Sequence, residues 1–167
     1  MFDRKSGWEY KVVEVKRVTR VTRGGKRFKI RAVVIAGNKN GRVGIGIEKG
    51  SDVSDAVNKA LASAIKNSIN IPIINKTIPY EVRGKISAAK VLIKPAKLGK
   101  GLKAGGTVRI VLELAGIENA TAKILGVTKN PLTNALSAIE ALKKLQKYQS
   151  KIEENKTEEN VNQPDQI

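Results

Sequence analysis

Two hydrophobic periods alternate along the chain. Valines recur every three residues at Val12, Val15, Val18 and Val21, a spacing that also fits a helix. Their β-branching and the glycine pair that follows predict a strand with a bulge. From Phe28 to Ala36 the alternation is clean, with Phe28, Ile30, Ala32 and Val34 on one face. Gly24-Gly25 lies between the two runs and predicts a hairpin, since glycine takes positive φ at little cost. A second turn at Gly37-Asn38-Lys39-Asn40-Gly41 leads into a short strand with Val43, Ile45 and Ile47 on one side. The period then becomes helical. Val53, Val57, Ala60, Leu61, Ala64 and Ile65 form one stripe, with Asp52 and Asp55 in a first turn where the helix dipole favours carboxylates. Three strands closed by one helix make a unit of about 70 residues, which folds alone only marginally.

Pro72 marks the boundary of that unit. Beyond it the pattern predicts strands at Ile73–Val82 and Lys85–Lys94, turning at Arg83-Gly84, with Pro95 ending the second. A glycine-rich stretch follows at Gly99, Gly101, Gly105 and Gly106. Thr107–Ala115 fits both periods: Val108, Ile110, Leu112 and Leu114 alternate, while Val108, Val111, Leu112 and Ala115 make a helical stripe. Ala122–Val127 reads as a strand. Asn130 as N-cap and Pro131 at the first helical position open a helix carrying Leu132, Ala135, Leu136, Ile139, Leu142 and Leu145.

Charge changes the picture most. Among 167 residues, 32 Lys and Arg stand against 15 Asp and Glu, a net charge of +17. Residues 151–167 hold five carboxylates and two lysines, so the body is more basic still. Such asymmetry points to a polyanion-binding body with a disordered acidic tail at 149–167. Lys16, Arg17, Arg20, Arg23, Lys26, Arg27, Lys29 and Arg31 follow one another with no acid between them. Aromatic residues make up 4% of the chain, and Phe28 alone lies inside this block, so phosphate contact on folded RNA is expected rather than stacking on aromatic platforms. Arg20 and Arg23 at the hairpin tip could reach a groove or helix junction.

Catalysis finds little support. With no Cys and no His, thiolate chemistry, imidazole bases and cysteine zinc sites are all excluded. No apolar run is long enough for a membrane span, and no secretory leader is expected. From Val82 to Leu112 there is no acid, only cations that include Lys94, Lys100, Lys103 and Arg109. A magnesium-dependent phosphotransferase needs a carboxylate near its phosphate loop. Gly99-Lys100-Gly101-Leu102-Lys103-Ala104 does fit the weak G-x-G-x-x-A pattern, which leaves a small-molecule kinase as one alternative and a turn with lysines on a nucleic-acid backbone as the favoured one. No metal and no cofactor are expected.

The stretch Gly24-Gly25-Lys26-Arg27-Phe28, through Ala32-Val33-Val34 to Gly37-Asn38-Lys39-Asn40-Gly41-Arg42-Val43-Gly44-Ile45-Gly46, resembles the signature of the S5 family of small-subunit ribosomal proteins. Lys94-Pro95-Ala96, Gly99-Lys100-Gly101, Ala104-Gly105-Gly106, Val111–Ile117 and Asn130-Pro131 match its pattern in order, so the resemblance covers about residues 10–146. It departs at Glu48, Ser54, Tyr80 and Lys100, where the family commonly has glycine, proline, histidine and threonine. The resemblance implies an α+β fold: a double-stranded-RNA-binding-like domain at 1–72, then a β-β-α-β-α domain with a left-handed crossover at 73–148. It makes Thr107–Ala115 a helix. It implies no enzyme activity, no membrane and no small-molecule substrate. The expected place is the cytoplasmic small ribosomal subunit. Expected partners are 16S rRNA, small-subunit proteins S4 and S8, and mRNA where it enters the subunit, with an influence on decoding accuracy and spectinomycin response. RNA contact is expected at Arg17, Arg20, Arg23, Gly24, Gly25, Lys26, Arg27, Lys29, Arg42, Lys94, Lys100 and Lys103, and protein contact at Gly101, Gly105, Gly106 and Arg109. A free RNA-binding protein outside the ribosome is the other alternative.

Overall fold

The chain forms two sheets and three helices in a computed structural model that describes residues 2–3 and 7–145. The expected acidic tail lies outside the described residues. Strands β2 (Trp8–Thr22) and β3 (Gly25–Gly37) make a long antiparallel hairpin. Strand β4 (Arg42–Gly50) pairs with β3, and helix α1 (Val53–Lys66) packs across them. Two-residue strands β1 (Phe2–Asp3) and β5 (Ile69–Asn70) complete the order β1-β2-β3-β4-β5. The register shifts between Val12 and Glu14, so the bulge falls at Val13.

Small residues decide how α1 sits. It presents Ala56, Ala60 and Ala64, all fully buried, to a strand with glycine at 44, 46 and 50. A Cβ on Gly46 would run into the Ala60 carbonyl, so the spacing of helix and sheet depends on that glycine. Asp52 is the N-cap, yet its side chain makes no capping bond. Asp55 in the first turn ties the preceding chain to the helix, accepting the Ser51 N–H at 3.3 Å and Lys59 Nζ at 2.9 Å.

The second sheet contains β6 (Val82–Ile86), β7 (Ala89–Pro95), β8 (Leu102–Lys103) and β9 (Ala120–Ile124), in the order β6-β7-β9-β8. Helix α2 (Gly106–Ala115) connects β8 to its parallel neighbour β9. Helix α3 occupies 131–145 and opens as expected, with the Leu132 N–H donating to Asn130 Oδ1 at 3.1 Å. None of the helices among the described residues is long and apolar enough to cross a membrane.

Several sequence expectations are corrected here. The strand expected at Ile73–Val82 is absent up to Val82, which opens β6: residues 73–81 are an irregular connection with one isolated bridge, Ile74 to Thr77, and positive φ at Asn75 and Lys76. Pro72 and Pro79 lack the donors a ladder needs. The turn lies at Ser87-Ala88, not Arg83-Gly84, and Ser87 has φ +53°. Gly84 sits inside β6, where a Cβ would meet the Ser137 carbonyl of α3; Ser137 Oγ donates to the Gly84 carbonyl at 3.0 Å. Its glycine serves close packing. Thr107–Ala115 is helical, and the strand proposed for Ala122–Val127 begins and ends earlier, at Ala120 and Ile124.

The core joins both sheets. Ala32 and Val34 pack with Ala56 and Ala60 on one face of β3. Val33 and Ile35, on the other face, join Val43, Ile45, Val108, Val111 and Leu112 in a larger cluster that runs into the second sheet. The uninterrupted apolar run Ala32–Ala36 reflects burial on both faces. Truncating the fully buried Ile35 to alanine would cost about 2–5 kcal/mol. The first unit is thus closed by α1 on one side and by α2 on the other. Backbone bonds reinforce the junction. The last four carbonyls of α2 are satisfied by N–H groups of Ile117, Gly116, Lys39 and Gly41, the latter two from the β3–β4 turn at 3.0 and 2.9 Å.

Candidate nucleic-acid interface

The cationic block lies on the part of the β2–β3 hairpin that outruns its neighbours. Gly50 pairs with Ile30, and beyond that rung only β2 and β3 continue, ending at Thr22 opposite Gly25. Alternation gives this ribbon two unlike faces. Ile30, Ala32 and Val34 face α1, so Phe28 and Lys26 extend that face, with Val15, Arg17, Thr19 and Val21 opposite them. This side mixes apolar residues with Arg17 and Lys26 and is open: Phe28 is 49% exposed and Val21 72%. Arg17 lies over the Phe28 ring, 3.6 Å from its centroid. The reverse face carries Lys16, Val18 and Arg20 on β2 and Arg27, Lys29 and Arg31 on β3. Lys49 joins it from β4, directly opposite Arg31.

One carboxylate closes the root of this face. Glu14 accepts Lys16 Nζ at 2.7 Å and Arg31 Nη2 at 3.0 Å, and its side chain keeps only 13% of its exposure. Lys16 above all, with Arg31, holds the Glu14 carboxyl below the ordinary glutamate range against the opposing effect of burial. Lys16 and Arg31 share this one carboxylate, so the triad keeps a single net positive charge. Arg17, Arg20, Arg23, Lys26, Arg27 and Lys29 have no ion-pair partner among the described residues. Val18, Thr19, Arg20, Arg27, Lys29 and Lys49 line a concavity of about 350 Å³. Four cations around a shallow hollow with no acid are suited to hold a phosphate, and the two guanidinium groups can do so bidentately. Sequence reasoning missed Lys49; the parity of its strand against Arg31 is the signal that would have found it.

At the tip only Gly25 takes a positive φ, +116°, and Thr22 Oγ1 donates to its carbonyl at 3.0 Å. Gly24 needs no such φ, and a Cβ on it would meet nothing within 4 Å. The expectation that both glycines make the turn is corrected: Gly25 makes it, and Gly24 leaves the tip slim.

The other expected residues lie elsewhere. Arg42 opens β4 beside Asn70, at the opposite end of the ladder from the tip. Lys94 and Lys103 lie on the second sheet, and Lys94 pairs with Glu81 at 3.0 Å. Lys100 sits on the glycine turn, where Gly99 and Gly101 have φ of +83° and +68°. Buried Asn119 fixes this turn by accepting the Gly101 N–H on Oδ1 at 3.1 Å. Gly105 is the N-cap of α2 and Gly106 its first residue, both exposed. Arg109 lies one turn along, on a concavity of about 440 Å³ that Lys39, Leu102, Glu113 and Glu118 also line. The twelve expected RNA contacts thus fall in four places, with the hairpin holding eight of them.

Two family descriptions match the chain: "Ribosomal protein S5, N-terminal domain" over residues 8–72 and "Ribosomal protein S5, C-terminal domain" over residues 84–156. The small ribosomal subunit protein uS5 of Thermotoga neapolitana is 53% identical over 138 residues, which are 83% of this chain and 77% of that protein. Its namesake in Synechococcus elongatus is 48% identical over 148 residues, 88% of this chain and 82% of that protein. The protein named uS5c in Guillardia theta is 50% identical over 149 residues, 89% and 88% respectively. These relatives are ribosomal proteins and not enzymes, which sets aside the kinase alternative for Gly99–Gly106.

Proposed function

Because the chain belongs to the ribosomal protein S5 family of the small ribosomal subunit, we propose that it acts there, in the cytoplasm, as a non-catalytic scaffold that binds 16S rRNA through the β2–β3 hairpin. One observation carries this reading: six cations on a protruding ribbon have no carboxylate partner among the described residues. Arg20, Arg27 and Lys29 neutralise phosphates on one face, and Arg23 with Lys26 extends the charge to the tip. Residues 1–72 form the RNA-facing part, and residues 73–148 present Gly101, Gly105, Gly106 and Arg109 to a neighbouring protein. Proteins S4 and S8 are the partners expected for that surface, near the path of incoming mRNA, where loosening the contact alters decoding accuracy.

The tip supplies the test. Since Arg23 and Gly24 are exposed and remote from both cores, substitutions there change stability by no more than about 0.5 kcal/mol. Arg23→Glu is expected to fold and enter the subunit while lowering spectinomycin sensitivity. Growth inhibition and sedimentation of the tagged chain with subunits in high salt measure both. Normal incorporation with unchanged drug response would sink the placement of the tip, and failure to sediment with the subunit in the unsubstituted chain would favour a free RNA-binding protein.

A further inference from the structure

Among the described residues, the second sheet is covered on one side only. Val82, Gly84, Val91, Ile93, Ala120 and Ala122 are buried on its inner side, against α2 and α3. The outer side collects cations from four strands. By register Arg83 is opposite Leu92, Lys85 opposite Lys90, Leu92 opposite Lys123, and Lys94 and Lys103 flank Thr121 from either side. All six cations are exposed. Glu81 pairs with Arg83 and Lys94 at 3.0 Å each. Lys85, Lys90, Lys103 and Lys123 have no ion pair among the described residues.

The pairing of Lys85 with Lys90 is the informative feature. Like charges directly opposite each other destabilise an antiparallel pair, and an acid or threonine at either position would relieve the repulsion. Guarding an edge against aggregation does not explain it, because Lys90 and Lys123 stand on β7 and β9, the two inner strands of the sheet. A polyanion laid across the face would turn that repulsion into attraction. No aromatic side chain lies on this face, and Leu92 at its centre is half-buried, so it offers no stacking platform. Neighbouring lysines at strand spacing, about 5 Å apart, suit a sugar–phosphate backbone.

We propose that the outer face of the second sheet is a further RNA-backbone surface, separate from the hairpin and centred on Lys85, Lys90 and Lys123. It rests on the reading of this protein as an rRNA binder and makes that binding two-sited: one rigid core, shared by both sheets, presents the ribbon and the sheet to different stretches of RNA.

The test pairs opposite signs in one variant of the full chain. Lys90→Glu places a carboxylate opposite Lys85 and is expected to raise Tm by about 1–2 °C. The same change is expected to weaken binding to transcribed 16S rRNA roughly tenfold and to lower the log–log salt slope by about 1. Lys85→Gln/Lys90→Gln repeats the loss without adding a negative charge. Arg20→Glu/Arg27→Glu, on the hairpin, is the reference. If the sheet variants bind and respond to salt as the unsubstituted chain does while the hairpin variant weakens, the second surface is overturned and the hairpin reading stands. If neither weakens, both fall. If RNA affinity holds but incorporation into the subunit drops, the face meets an acidic protein and the assignment to RNA is wrong.

Discussion

The hairpin tip and the loop at 97–106 look alike in sequence, since both are glycine-rich, cationic and free of acid. In the folded chain their backbones differ, although an added Cβ would meet nothing within 4 Å at Gly24, Gly25, Gly99, Gly101 or Gly106. The tip projects with open space around Gly24 and Gly25, and only Gly25 needs a left-handed φ. The 97–106 loop takes positive φ at Gly99, Gly101 and Gly106 and is tied by the Gly101 N–H to Asn119 and by the Lys100 N–H to the Lys97 carbonyl at 3.2 Å. Charge density marks both loops equally. What separates them is backbone conformation, since Lys97, Lys100 and Lys103, like the cations at the tip, have no ion pair among the described residues. The tip turns on one left-handed glycine, whereas three glycines at positive φ give the loop a fixed shape between β7 and α2.

The largest expected difference is in RNA affinity. Arg20→Glu/Arg27→Glu removes two charge-assisted contacts, each about 1.5–3 kcal/mol, so binding to 16S rRNA should fall by more than about 100-fold. Lys97→Glu/Lys100→Glu on the loop should cost less than about tenfold, because Lys100 is a single expected RNA contact there while the glycines around it are expected to meet a protein. Equal losses in a filter-binding titration would erase the distinction between the two regions.

Backbone substitutions sharpen the comparison on the stability axis. Gly101→Ala forces a left-handed φ on a residue with a Cβ, costing about 1–2 kcal/mol, and Gly25→Ala should cost about the same. Gly24→Ala, one residue away, should remain within about 0.5 kcal/mol. Denaturant midpoints at constant slope would show this, and a Gly24→Ala loss as large as that of Gly25→Ala would mean that the tip is shaped differently.

A smaller effect concerns pH at the ribbon's root. Lys16 and Arg31 hold the folded Glu14 carboxyl below its ordinary range, so this group stabilises the fold above its unfolded value. That contribution is lost as pH falls through the lower, folded value. Glu14→Gln should flatten the acid limb of the stability curve and lower stability by about 1 kcal/mol at neutral pH. An acid limb identical in the two chains would show that the pair contributes nothing there.

Much of this was legible from residue pattern. The helical stripe of α1, the Asn130 cap and the bulged valine strand follow from periodicity and capping chemistry, which act over a few residues. Misreadings came where a local pattern had a long-range cause. Ile73–Val82 is apolar enough for a strand, but several of its side chains fill the core from an irregular path. Gly84 resembles a turn residue, and the reason for it is α3, more than fifty positions away. β8 is two residues long, too short to show a period, and only its partner β9 defines it. The candidate site divides in the same way. The hairpin's charge run is contiguous and visible, while Lys49 and the face around Lys85, Lys90 and Lys123 exist only once register aligns separate strands.

The claim that binding is electrostatic and directed at phosphates is tested most directly by the salt dependence of affinity for 16S rRNA. If the protein neutralises roughly six to ten phosphates, log affinity should fall linearly with log salt, and binding should weaken about 1,000- to 100,000-fold between 50 and 200 mM. Affinity that stays flat across that range would contradict the account.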